Sequence, residues 1–228
     1  MKSNGGLQLL IACHADDIKG AGTDEARKEL LDALTAEFGK LKTSMKQFDC
    51  VGVTHVQSED CPEIFTHQQG YVKQLKEINE ATFAMKADTE IVSEYDHWLY
   101  RSLVGAVAWL TLTMPAICVF VAYLQRQCST PTCGDVRKAN RLLRWIQKRA
   151  TTLGIRYKKL IGPQTLYVLS DSAFGAEEHA GLVMRGCVVA RVAEAGPVKT
   201  GKTYQLRMLD WYSRKHTRCT FDVRSRVA

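Results

Sequence analysis

Two hydrophobic periods divide the first third of the chain. Residues 7–13 (LQLLIAC) form an almost unbroken apolar run, which predicts a buried strand. The run ends in His14-Ala15-Asp16-Asp17, and Ile18-Lys19-Gly20-Ala21-Gly22 predicts a second short strand ending in glycine, so the simplest reading is strand, acidic turn, strand. The period then changes. Ala26, Leu30, Leu34, Phe38 and Leu41 recur at helical spacing, Thr23 has the chemistry of an N-cap, and Asp24 and Glu25 stand where a helix dipole favours acids. An amphipathic helix is expected over 24–41. Residues 48–57 and 63–67 predict a pair of strands around Asp60-Cys61-Pro62, and 68–76 a short helix. Residues 79–94 are polar, lack a period and are expected to form a loop.

Residues 103–124 contain no charged side chain, and that length alone would suit a membrane span. The run also holds Gly105 and a central Pro115, with Arg101 and Arg126 outside its ends, so two short buried helices broken at the proline account for it equally well. Residues 136–150 predict a helix with Ala139, Leu142, Leu143, Ile146 and Ala150 on its apolar side. Gly162-Pro163 reads as a boundary. Residues 165–170, 183–192 and 204–211 predict three further strands.

Charge adds a functional dimension. The 228 residues carry a net charge of +7, with ordinary hydrophobic and charged fractions of 46% and 24%, so a soluble chain with an acidic partner is expected, nucleic acid first among them. The positive charge is concentrated. No Asp or Glu occurs from Val136 to Ser170, and Arg137, Arg141, Arg144 and Lys148 share one side of the helix predicted there. A solvated basic face would explain them, but such faces usually mix both signs, and phosphate contact is the favoured reading. Eight cysteines without a CxxC pair, and an N-terminal MKSNGG without an apolar core, predict reduced thiols in an intracellular rather than secreted protein. Cys128 and Cys133 lack the second ligand pair that a structural zinc site needs.

Asp16-Asp17 is the sharpest chemical feature. Paired carboxylates at a strand turn are too costly to bury unpaired, and their oxygens suit Mg²⁺, which binds through one or two carboxylates plus substrate phosphates. Two such ions can stabilise the attacking and leaving oxygens of nucleotidyl transfer. An Asp-Asp dipeptide alone is also a common surface turn.

The order of motifs resembles the Pol polyprotein of copia-type retrotransposons over nearly the whole length. His14-Ala15-Asp16-Asp17 occupies the slot of an aromatic-x-Asp-Asp palm hairpin, with His14 departing from the aromatic. Cys50-Val51-Gly52-Val53 resembles a leucine-glycine-isoleucine strand, and Gln68-Gln69-Gly70-Tyr71 a glutamine-x-x-tyrosine segment. The most specific match is the segment from Tyr100 to Thr111 (YRSLVGAVAWLT) with Met114-Pro115-Ala116-Ile117. Leu142-Leu143-Arg144-Trp145-Ile146 is similar to the next helix of the family, Ser170-Asp171-Ser172 to the opening strand of its ribonuclease H, and Trp211-Tyr212-Ser213-Arg214-Lys215-His216 to a later strand.

The resemblance implies an α+β fold: the C-terminal part of a reverse transcriptase palm over 1–92, thumb or connection helices over 93–160, and an incomplete ribonuclease H-like domain over 161–228. It implies RNA-directed DNA polymerisation and hydrolysis of RNA in RNA–DNA hybrids, with Mg²⁺ on Asp16 and Asp17 at one site and on Asp171 at the other. Arg137, Arg141, Arg144 and Lys148 would track the nucleic acid. The partners implied are an RNA template, a DNA primer, their hybrid and the rest of the polyprotein, with no membrane. Glu177 and Glu178 read as loop charge, and His67, His97 and His179 as structural or surface residues. A third polymerase carboxylate and the later ribonuclease H acids have no counterpart in this sequence, so the chain alone is expected to be inactive. A one-base shift near Arg218 would permit the family's next segment. The alternative reading is a non-catalytic relic that only binds nucleic acid.

Overall fold

Local chemistry places most element ends in the computed structural model, which describes residues 2–3, 6–15, 17–60, 63–173, 184–194 and 201–215. The fold is mixed α+β, with 39% helix, 31% strand and antiparallel sheets. It divides into two units, 1–66 and 67–228.

The first unit is built from hairpins. β1 (Lys2–Ser3) pairs with β2 (Gly6–Leu7), and β3 (Leu9–His14) with β4 (Asp17–Gly22). Helix α1 (Asp24–Phe38) follows. The Thr23 hydroxyl accepts from the Ala26 amide at 3.3 Å, as the sequence predicts, and Gly39 at φ 79° closes the helix three residues before the expected end. β5 (Gln47–Cys50) and β6 (Val53–Gln57) make a hairpin, and β7 (Glu63–His67) is the next strand of that sheet. The single strand expected over 48–57 is therefore two. Val51 and Gly52 both take left-handed φ, 51° and 69°, which gives the tight turn a twist that suits a two-residue hairpin. What resembled a continuous family strand at Cys50–Val53 is a turn.

The apolar run at 7–13 is also less buried than its composition predicts. Leu9 is buried, but Leu10 is 63% exposed and Ile11 38% exposed. A two-stranded hairpin has two faces, and among the described residues only part of one is covered. Ala26 is the sole buried position of α1, so the apolar positions expected to form its inner face remain partly or wholly exposed.

The second unit holds the main core. α2 (Gln69–Gln74) leads to a 3-10 turn at Glu80–Phe83, then α3 (Glu94–Trp109), α4 (Cys118–Arg126) and α5 (Cys133–Arg149). Ser93 caps α3, and Thr132 with Asp135 forms a reciprocal capping box on α5. The uncharged run resolves into the two helices expected. Two 3-10 turns, Leu110–Leu112 and Pro115–Ile117, separate α3 from α4, with Pro115 at a turn start where its missing N–H costs nothing. Among the described residues, no helix is long and apolar enough to cross a membrane.

Residues 67–92 belong with these helices, not with the preceding hairpins, so the division falls at Thr66/His67 instead of residue 92. Val72, Ile78, Phe83 and Val92 bury themselves in the same core as Tyr100, Val107, Val136 and Leu143. The unpatterned stretch at 79–94 is thus a fitted segment. It has few apolar residues, but those few are buried.

β8 (Ile155–Lys158) is followed by a three-stranded meander, β9 (Thr165–Ala173), β10 (Met184–Val192) and β11 (Leu206–Lys215), in the order β11-β10-β9. One face turns toward the helices. Its Ala190 and Val192 are buried, and the Trp211 indole donates to the Thr111 carbonyl at 2.8 Å. The Gly162-Pro163 boundary therefore separates two parts of one unit.

Candidate functional site

The acidic hairpin begins from a steric fact. β3 and β4 stay paired as far as His14 and Asp17, so only two residues remain to reverse the chain. Ala15 takes φ 51° to do so, a conformation disfavoured by its Cβ at about 1–2 kcal/mol. Asp16 lies outside the described residues. Asp17 is the first residue of β4 and exposed, and its carboxylate makes no hydrogen bond or ion pair to a described residue. An exposed carboxylate with free oxygens suits a hard cation as one ligand among waters and phosphates.

Deeper in the first unit, Lys19 of β4 approaches the β5–β6 hairpin. Its Nζ lies 3.2 Å from His55 Nε2, while His55 Nδ1 lies 3.1 Å from the Val53 carbonyl. Donation from Nδ1 to that carbonyl leaves Nε2 as the acceptor for the ammonium. The ring also stacks on Phe48, with centroids 4.9 Å apart. Phe48 and His55 face each other across the β5–β6 hairpin, while Lys19 reaches His55 from 36 residues away, a contact that no local sequence pattern contains.

Asp171 belongs to the second unit, on β9 opposite Gly186 of β10. Gly186 is in turn opposite Ser213 of β11, so the three form one row on the helix-facing side of the meander. A shallow recess beside this row is lined by Ala122, Gln125, Arg126, Ser213 and Arg214. Among the described residues, no group of three or more His, Cys, Asp or Glu side chains converges as a metal site. Glu177, Glu178 and His179 lie outside the described residues, as does the segment around Arg218. His97 is structural, its Nε2 2.8 Å from the Cys128 carbonyl.

The basic helix α5 divides its charges between two uses. Arg137 forms an ion pair with Asp88, donates to the Phe83 and Lys86 carbonyls at 3.0 and 3.1 Å, and lies over the Phe83 ring. Arg144 pairs with Glu77 and stands 3.7 Å from Glu80. Arg141 and Lys148 point to solvent without an acidic partner among the described residues. The acid-free stretch thus finds its counter-charges in the earlier segment 77–88, whose Glu77, Glu80 and Asp88 were the overlooked signal. On the neighbouring face, Lys138 donates to the Tyr123 hydroxyl at 2.7 Å, which raises its pKa, and Arg149 lies 4.6 Å over the Trp145 ring. Cys133 is buried at the start of α5, and the Cys128 thiol donates to the Leu124 carbonyl at 3.7 Å.

No protein-family model, curated protein or solved structure matches the chain.

Proposed function

We propose that the chain is a segment of a copia-type retrotransposon Pol polyprotein, comprising the back part of a reverse transcriptase and the opening of a ribonuclease H domain. The observation that carries this reading is the β3–β4 hairpin, in which Asp17 opens the second strand directly after an apolar first strand and a short turn. Supporting it are the helix pair around Pro115 and an antiparallel three-stranded meander whose first strand bears Asp171. The exposed apolar residues of the first unit, Leu10, Ile11 and Ile18 among them, suit a hairpin that packs against further palm strands in a larger protein.

In that protein Asp16 and Asp17 would hold Mg²⁺, which supplies the charge to stabilise the nucleotidyl-transfer oxygens. Asp171 would contribute to the hydrolytic site for the RNA–DNA hybrid. Arg141 and Lys148 would meet the phosphates of template and primer, while Arg137 and Arg144 position the 77–88 segment. The isolated chain binds an RNA–DNA hybrid without extending a primer.

Transcript sequencing on both sides of the coding region tests the reading directly. An upstream frame encoding an aspartate-bearing palm strand is expected. Closed frames on both sides, together with no binding of a hybrid duplex at low salt, would overturn it.

A further inference from the structure

The meander turns its other face away from the helices. Strand alternation and register put Leu166 and Val168 of β9, Arg185, Cys187, Val189 and Arg191 of β10, and Arg207, Asp210, Tyr212 and Arg214 of β11 on that side. Arg185 is directly opposite Arg214, and Arg191 directly opposite Arg207. Like charges placed across from one another destabilise a sheet, so two such pairs on one small face suit an anion lying over them. Asp210 is the acid that the described strands place there, and its carboxylate accepts from the Trp211 amide at 2.8 Å. Arg207 is partly occupied, donating to the Lys158 carbonyl at 2.6 Å. Arg185, Arg191 and Arg214 are exposed.

Two further features shape this face. The guanidinium groups of Arg185 and Arg214 lie 5.4 and 5.0 Å from the centre of the Tyr212 ring, which holds both cations at one end. At the other end, the register shift between Val189 and Ala190 leaves Leu209 without a partner across the ladder. Leu209, Leu166, Gln164, Gly162 and Arg191 line an open recess of about 500 Å³ there. From Arg185 to Arg191 is six residues of extended chain, roughly 20 Å, long enough to span several phosphates of a nucleic-acid strand.

We propose that this outer sheet face binds a single strand of nucleic acid, its phosphates on Arg185, Arg214 and Arg191 and a base in the recess between Leu166 and Leu209. The face is the reverse of the one that bears Asp171, so the inference goes beyond the polymerase reading and does not depend on it. An anionic membrane offers the same charge, but it would leave the aliphatic-lined recess beside Arg191 unused.

The test is fluorescence anisotropy of a labelled oligothymidylate titrated with the full chain over a series of salt concentrations. The Arg185→Gln/Arg214→Gln double variant should bind at least tenfold more weakly, with the slope of log affinity against log salt shallower by about 1.4, or roughly 0.7 for each lost phosphate contact. Circular dichroism should be unchanged, because the replaced side chains lie on the surface. A photo-crosslinkable oligothymidylate should attach to β10 or β11. Three results would overturn the proposal: wild-type affinity in the double variant, crosslinks confined to α5, or binding to phosphatidylserine vesicles without binding to the oligonucleotide. If Arg141→Gln/Lys148→Gln alone abolishes binding, this face fails while the reading of α5 stands.

Discussion

Asn140 closes a two-way hydrogen-bonded clasp on the backbone of Ile78. Its Oδ1 accepts from the Ile78 amide at 2.9 Å, and its Nδ2 donates to the Ile78 carbonyl at 2.8 Å and to Glu80 Oε1 at 2.8 Å. Asn140 is fully buried on α5, so this one amide supplies what a neighbouring strand would otherwise give the 77–80 segment. Replacing it with leucine or alanine leaves two backbone groups unsatisfied. The expected loss is on the order of 2–4 kcal/mol, seen as a lower urea midpoint, since each buried orphan costs about 1–3 kcal/mol. An unchanged midpoint would show that the segment is held from elsewhere.

The start of α5 is pinned to the same segment. Cys133 and Gly134 donate their amides to the Glu90 and Asp88 carbonyls at 2.8 and 3.0 Å. A Cβ on Gly134 would stand 3.0 Å from both Cβ and the carbonyl oxygen of Asp88. Gly134→Ala should therefore destabilise by about 1–3 kcal/mol by overpacking, although alanine is the better helix former. Thermal melts of the two proteins decide the sign.

Val51 is a β-branched residue held at φ 51° in the β5–β6 turn. Asparagine tolerates that conformation far better and is favoured in this kind of turn. Val51→Asn should stabilise the first unit by roughly 1 kcal/mol, read as a rise in melting temperature. A fall would mean that the Val51 side chain contributes packing that outweighs its strain.

Burial, helped by the nearby charge of Asp135, holds the Tyr100 phenol well above its ordinary value of 10.0, and its hydroxyl donates to the Leu124 carbonyl at 2.8 Å. The folded state therefore keeps a proton that the unfolded chain releases. The contribution to stability is complete below the unfolded value of about 10 and falls as pH rises beyond it. Tyr100→Phe should cost about 1 kcal/mol at neutral pH through the lost hydrogen bond. It should also show a smaller further loss than the wild type on moving above pH ~10 in urea titrations. Equal losses in both proteins would contradict the assignment.

The divided use of the α5 charges separates binding from stability. Arg141→Gln/Lys148→Gln should leave the unfolding midpoint within about 0.5 kcal/mol, as for other surface changes. It should also flatten the salt dependence of duplex binding by roughly 0.9 for each residue. Arg137→Gln should mainly lower the midpoint, because it breaks the contacts with Asp88, Phe83 and Lys86. Binding losses from Arg137 equal to those from Arg141 would refute that division.

Much of the local structure was legible because it depends on near neighbours. Thr23 caps α1 through a side chain that reaches only three residues ahead. Pro115 interrupts the uncharged run because its ring forbids continuous helix, whatever surrounds it. The β3–β4 hairpin followed from an apolar strand on one side and a glycine-rich strand on the other. The strands read at 165–170, 183–192 and 204–211 are observed as Thr165–Ala173, Met184–Val192 and Leu206–Lys215, and the sequence did not show which face would meet the helices.

By itself, then, the sequence determined most of the helices, the hairpin of an apolar and a glycine-rich strand, and the positive charge of α5. Each of these is written in spacing over a few residues. Only the tertiary structure decided which charges are spent on folding. Arg144 meets Glu77 across 67 positions, and Asn140 meets Ile78 across 62. It also decided that residues 67–92 share the helical core and that four arginines of β10 and β11 lie on one face. Such contacts depend on chain packing and strand register. Both are set by the burial of apolar surface over the whole unit, a sum that no local pattern contains.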